Sequence, residues 1–399
     1  MVGEGREKTL HQQRSGKVTK KIRVGVIFGG RSSEHEVSLT SASCVLEAID
    51  RSKYDVVPIG ITKKGKWLVG DNVLELLSSQ ATEEGKAIQD SPTPVSLLPT
   101  PRGGNLISID PKEGVGNKGQ AIGHIDVVFP VLHGTYGEDG AIQGLLELAD
   151  LPYVGAGITG SAVAMDKAMA KAVFAAEGLP QLPYVTLFRS EWEENPKVAE
   201  EAVGKIGYPC FVKPASLGSS VGISKVREPG ELQEALNEAA IYDRKFVIEK
   251  DAGNAREVEC SVLGNDEPIP SIPGEIVPSR EFYDYVAKYH DSASELIIPA
   301  RITAKTTEKI QELAVQAFRA LDLAGMARVD FFVDKNTERI YINEINSIPG
   351  FTPISMYPKL WEASGIPYAR LIDRLIELAI ERHQDKGRNM TSFAPGEAR

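Results

Sequence analysis

The stretch Met326–Asn346, MARVDFFVDKNTERIYINEIN, decides how this chain is read. Residues 326–334 alternate in a strand pattern. Side chains on a strand point to opposite faces with period two, so Arg328 and Asp330 share a face. Residues 339–346 read as a second strand turning back from the Asp334–Thr337 loop, with Glu344 and Asn346 on one face. Pairing as a hairpin would bring Asp330, Glu344 and Asn346 together: three hard oxygen donors beside one guanidinium. Magnesium suits such a set, taking a few carboxylate or carbonyl oxygens and completing its octahedron with phosphate and water. Two carboxylates this close repel each other unless a cation lies between them. The alternative is a solvated charged face on an ordinary hairpin. Pro349-Gly350-Phe351-Thr352 follows directly, and a glycine there lets backbone N–H groups approach a ligand.

Upstream, Thr306–Leu323 reads as a helix, with Ile310, Leu313, Ala314, Ala317, Phe318 and Leu321 at helix-face spacing. Further back, Lys213-Pro214-Ala215-Ser216-Leu217-Gly218-Ser219-Ser220-Val221-Gly222 ends a strand with a lysine and continues as a small-residue loop. Backbone amides in such a loop can wrap a phosphate. It lacks the GxxxxGK[ST] spacing of a Walker A loop, and without the metal strands an ordinary hairpin turn would be as good a reading. Val247-Ile248-Glu249-Lys250 is an apolar strand able to present its backbone to an adenine edge, although Glu249 suits a surface position equally well. Glu257, after the Gly253-Asn254 turn, is placed to accept ribose hydroxyls. Near the start, Val24, Val26 and Phe28 form an apolar strand that stops at Gly29-Gly30. Ser33 and Glu36 have capping-box spacing before a helix expected over 37–49. Glu34 thus falls at the C-terminal edge of an open α/β sheet, where ligands bind. No GxGxxG occurs there. A carboxylate at this edge could hold a substrate ammonium, or serve only the helix dipole.

With 399 residues the chain exceeds one ordinary core, and two or three domains are expected. A net charge of −10 argues against nucleic-acid binding as the main task. Cys44, Cys210 and Cys260 have no metal-ligand spacing, which fits a reducing compartment and small buried hydrophobes. The polar, basic residues 1–21 lack a signal peptide's apolar segment, and no apolar run reaches the roughly 20 residues of a membrane span. A cytoplasmic protein with no membrane contact is expected. Further strands are expected over 56–61 and 125–132, with irregular structure or an insertion over 71–123 between them and a helix over 141–149 after them. Ser161–Glu177 reads as one helix. Strands over 185–188, 210–214, 222–225 and 245–250, with helices over 196–206 and 229–240, read as a small α+β unit. A third unit opens with an antiparallel strand at Glu257–Leu263 and is closed by a helix over 368–382. The expected division is a disordered tail 1–21, an α/β substrate domain 22–160, a central subdomain 161–250, a metal-binding domain 251–385 and a tail 386–399.

Seven stretches in order, GGRSSEHEVS (29–38), HGTYGEDGAIQG (133–144), MDK (165–167), VKPASLGSSVG (212–222), FYDYVAKY (282–289), MARVDFF (326–332) and NEINSIPGFTPISMYP (343–358), resemble the D-alanine–D-alanine ligases of the ATP-grasp superfamily. The resemblance implies a three-domain ATP-grasp fold of α/β and α+β parts with an N-terminal open parallel sheet. ATP lies between the central and C-terminal domains, and two Mg2+ ions, replaceable by Mn2+, sit on Asp330, Glu344 and Asn346. By resemblance Lys167 and Lys213 contact ATP phosphates, and Glu249, Lys250 and Glu257 hold adenine and ribose. Lys288 reaches the phosphates from a lid over 281–291. Arg328 and the Gly350 amide stabilise the acyl phosphate and tetrahedral intermediate. Glu34 takes the first D-alanine's ammonium with His133 nearby; Ser355, at the carboxylate, and Met356 border the second D-alanine. Tyr289 hydrogen-bonds towards Ser219 and Glu34, which favours an amine as second nucleophile. The implied partners are D-alanine, ATP and a second copy of the chain, and the implied task is peptidoglycan precursor synthesis. Two rivals are a D-alanine–D-lactate or D-alanine–D-serine ligase, and a non-catalytic nucleotide binder on the same scaffold.

Overall fold

The computed structural model describes residues 20–79, 92–101, 105–109, 121–278 and 295–390. Strand β1 (Ile22–Gly29) pairs in parallel with β2 (Tyr54–Ile61) on one side. The sheet continues through β3 (Trp67–Val69), β4 (Thr93–Leu97), β5 (Asn105–Ser108) and β6 (Ala121–His124), all antiparallel. On its other side β1 pairs in parallel with β7 (Val127–Val131). Val24, Val26, Phe28, Val127, Phe129 and Val131 are fully buried. These strands are covered on both faces, which is why they read as unbroken apolar runs. The irregular structure expected over 71–123 is corrected wherever that stretch is described. The helix Val73–Ser78 and three short strands extend the sheet there. Runs of four or five residues broken by Pro and Gly give too few periods to read.

A second sheet holds β8 (Tyr184–Phe188), β9 (Cys210–Pro214), β10 (Ser224–Val226) and β11 (Lys245–Lys250), in the order β10-β9-β11-β8 and antiparallel. Helices Lys197–Ile206 and Leu232–Tyr242 pack on it over Val212, Phe246 and Ile248. The third sheet is built on the long strands β12 (Ala255–Gly264), β16 (Gly325–Asp334) and β17 (Ile340–Asn346), with β13 (Ile269–Pro270), β14 (Gly274–Val277) and β15 (Glu295–Ile297) at its margin. The helix Ala304–Ala320 lays Ile310, Leu313, Ala314, Ala317 and Phe318 against it, the face that its spacing indicated. Thr303 caps this helix, its hydroxyl accepting the Thr306 N–H at 3.3 Å.

Three local expectations are corrected. The single helix over 161–177 is two, Ile158–Met165 and Lys167–Ala176, parted at Asp166, whose backbone is extended. The Asp166 carboxylate accepts the N–H groups of Ala168 and Met169, both at 3.1 Å, so an aspartate within an apolar pattern starts a helix here. The Ser33–Glu36 capping box does not form; Glu34 is the N-cap of helix His35–Ala48, and its side chain is used elsewhere. The last helix, Tyr368–Lys386, packs on the N-terminal sheet as well as the third. Leu371, Ile372, Leu375 and Ile376 join one cluster with Val24, Phe28, Leu263 and Met326. Cys210 and Cys260 are buried as expected, while Cys44 is half-buried. Among the described residues no helix is long and apolar enough to cross a membrane.

Candidate active site

The β16–β17 hairpin forms, with Arg328 opposite Asn346 and Asp330 opposite Glu344. All four side chains therefore lie on one face of the sheet. Arg328 donates twice to Asp330, Nε to Oδ1 and Nη2 to Oδ2, each at 2.7 Å, and its Nε also lies 2.9 Å from Glu259. The Asn346 amide donates to Asp330 Oδ2 at 3.0 Å. Lys167 Nζ lies 3.3 Å from Glu344 and donates to the Leu217 carbonyl at 2.8 Å. Two carboxylates and an amide, already drawing two cationic side chains, suit a divalent ion that completes its shell with phosphate and water. Among the described residues no group of three or more His, Cys, Asp or Glu side chains is arranged to hold a metal ion, this hairpin included, whose donors are two carboxylates and an amide.

Two hollows meet at this face. A cavity of about 590 Å³ between the second and third sheets is lined by Lys213, Glu249, Lys250, Glu257, Phe332 and Glu344, among others. A narrower one of about 90 Å³ faces the N-terminal sheet and is lined by Glu34, His133, Lys167, Ser219, Arg328, Glu344, Asn346, Gly350, Ser355 and Met356. Glu344 stands in the wall of both.

In the larger cavity the Glu249 carboxylate is buried between Lys171 and Lys213, with Lys213 Nζ at 2.6 Å. Burial alone would raise the Glu249 pKa, but the two lysines hold it below the ordinary carboxylate value. Burial works against the charge on Lys213, yet Glu249 keeps its pKa above the ordinary lysine value; at Lys171 burial wins and the pKa is lowered. Glu249 is thus a buried charge partner rather than a surface residue. Lys250 sends its ammonium away to the Tyr208 carbonyl at 2.7 Å, so only its remaining atoms face the cavity.

In the narrower hollow Ser219 donates its hydroxyl to Glu34 across the gap between the first and second sheets. Ser219 and Ser220 both have positive φ, 52° and 58°, so the loop turns through a left-handed backbone there. A side chain at Gly134 or Gly218 would place a Cβ 2.5 or 2.7 Å from Glu34 Oε2 and push that carboxylate aside, and Gly134 also has a positive φ of 71°. His133 is buried and spends both ring nitrogens, Nε2 on the Ser41 hydroxyl and Nδ1 on the Ile348 carbonyl, each at 3.0 Å. Burial lowers its pKa and keeps the ring neutral. Ser355 bonds the Thr352 N–H at 3.0 Å and heads the helix Met356–Ala363. Met356 packs against Ile276 and Leu360 beneath it. Lys288, Tyr289 and the expected lid over 281–291 lie outside the described residues.

Four residues of the site escaped the sequence reading. Glu259 pairs with Arg328, and its signal was the shared face with Glu257 two residues earlier. Lys171 follows Lys167 by one helical turn. Glu138, inside HGTYGEDG, is buried; burial first, then nearby Glu34, push its pKa to about 7. Ser41 carried no signal, because its partners lie far away in sequence.

Family models for the D-ala D-ala ligase N-terminus and C-terminus match residues 23–156 and 173–377. The D-alanine–D-alanine ligase of Heliobacterium modesticaldum is 51% identical over 373 residues, 93% of this chain and 98% of the relative. That of Geobacillus thermodenitrificans is 50% identical over 92% of this chain and 97% of its own length. Among solved structures, the D-alanine–D-alanine ligase of Coxiella burnetii superposes with a TM-score of 0.76 at 38% identity, covering 92% of this chain and 98% of that one. The VanG D-Ala:D-Ser ligase of Enterococcus faecalis gives 0.78 at 38% identity, covering 90% and 100%. Matched along both halves by its family models and at half identity by full-length relatives, the chain belongs to the D-alanine–D-alanine ligase family.

Proposed function

We propose that this ligase joins two D-alanines through an acyl phosphate, with ATP in the larger cavity, the amino acids in the narrower one and divalent cations on Asp330, Glu344 and Asn346. The observation that carries this reading is Glu344 in the wall of both hollows. Phosphoryl transfer from nucleotide to amino acid needs charge stabilisation where the two meet. A divalent cation bound there would offset charge on the transferring phosphoryl group. Glu34 receives the first ammonium, held in place by Ser219. The first carboxylate then takes the γ-phosphoryl group as the bond to the β-phosphate breaks and ADP leaves, and Lys213 and Lys167 line the phosphate end. Arg328 and the Gly350 amide face the acyl centre as the second amine attacks and phosphate leaves. Ser355 and Met356 border the second amino acid. The relatives near half identity carry the D-alanine–D-alanine ligase name, which favours D-alanine as the second substrate and peptidoglycan precursors as the destination.

Purified protein given ATP, magnesium and D-alanine alone should release phosphate and form a product with the mass of D-alanyl-D-alanine. Turnover that starts only on adding D-serine or D-lactate would reject the second substrate. Asp330→Asn should reduce kcat by about a hundredfold or more, as for loss of a charge-stabilising group. An unchanged rate would reject the metal assignment.

A further inference from the structure

The loop that leaves β17 at Ser347 and carries Gly350 is held by side chains of the N-terminal unit. Glu138 Oε1 accepts the Ile348 N–H at 2.7 Å and lies 3.4 Å from the Ser347 hydroxyl. Its Oε2 accepts the Gly134 N–H at 3.0 Å. Gly134 in turn walls the Glu34 carboxylate. On the other side Ser41 accepts the Phe351 N–H at 3.2 Å and bonds His133, whose second nitrogen meets the Ile348 carbonyl. That pattern fixes the proton positions: Nδ1–H donates to Ile348, and Nε2 accepts from Ser41.

We propose that Glu138 is a positioning residue for ligation: it ties the backbone beside Glu34 to the loop bearing Gly350, and so sets the first amino acid's ammonium site against the amide that faces its acyl carbon. The residue type supports this. Two backbone N–H groups from different parts of the chain point at it, one at each oxygen, and a carboxyl group presents an acceptor to both. Glutamine in the same place must turn an NH2 group towards one of the donors. A buried donor left without its acceptor destabilises that local geometry, and small displacements of reacting groups are costly in rate. The inference rests on the roles proposed above for Glu34 and Gly350.

The test is steady-state kinetics on Glu138→Gln, Glu138→Asp and Ser41→Ala, with thermal melting of each. Glu138→Gln should lower kcat/KM for D-alanine roughly ten- to hundredfold while KM for ATP stays within about twofold, since Glu138 touches no part of the larger cavity. Glu138→Asp, which keeps both acceptors on a shorter stem, should fall between Gln and wild type. D-alanine kinetics like wild type in Glu138→Gln overturn the proposal, as does an equal loss for both substrates that follows a lower melting point. If Glu138→Gln does not fold, Ser41→Ala reaches the same loop through Phe351, and wild-type D-alanine kinetics there overturn it as well. Wild-type protein that makes no dipeptide at all would instead remove the functional reading beneath it.

Discussion

Lys171, Glu249 and Lys213 form a buried chain of charges under the larger cavity. Removing one partner of a buried pair costs more than the pair contributes, because the other charge stays buried. Lys171→Met should therefore lower stability by about 3 kcal/mol in denaturant melts and raise KM for ATP. Glu249 then has only Lys213, which it draws more strongly away from phosphate. The pH dependence has a definite sign. The folded pKa of Glu249 is depressed, so its contribution is present above the unfolded carboxyl value and is lost as pH falls through the folded one. The stability gap between wild type and Lys171→Met should narrow on acidification below about pH 4.5. A gap that is constant with pH would contradict the charge chain. Glu249 was legible as a candidate, because it ends an apolar strand. Its partner Lys171 was not, since a lysine on a helix is usually solvated.

At the scale of elements, period-two alternation placed Arg328, Asp330, Glu344 and Asn346 on one face without help from the rest of the chain. The break at Asp166 went unread because the apolar pattern runs through it. That break starts a helix at Lys167 and sets this lysine beside Glu344 and the Leu217 carbonyl. Asp166→Ala should cost about 1 kcal/mol of stability, the usual loss of an N-cap. It should also raise KM for ATP, because Lys167 is then less firmly aimed. Differential scanning calorimetry and ATP titration measure the two effects, and a loss of stability without any change in KM would show that the cap only starts the helix. Strands β3 to β6 were illegible for a different reason: short antiparallel strands are defined by their neighbours more than by their own residues.

In the whole molecule, the helix Tyr368–Lys386 joins the N-terminal and third sheets through one apolar cluster. Leu375 is fully buried in it. Leu375→Ala should cost about 3 kcal/mol, within the range for a large-to-small core change. Hydrogen exchange should show lost protection in β1 and β16 together; loss confined to one sheet would mean that the cluster does not couple them. The sequence by itself determined the apolar strands and helices, the hairpin with its oxygen donors, and seven motifs in family order, because periodicity and spacing are local properties of a chain. Only the tertiary structure decided that Glu34 meets Ser219, that Glu249 lies between two lysines, and that Ser41, His133 and Glu138 hold the loop carrying Gly350. Those partners stand tens to hundreds of residues apart, and only packing of the three sheets around a common hollow brings them within hydrogen-bonding distance.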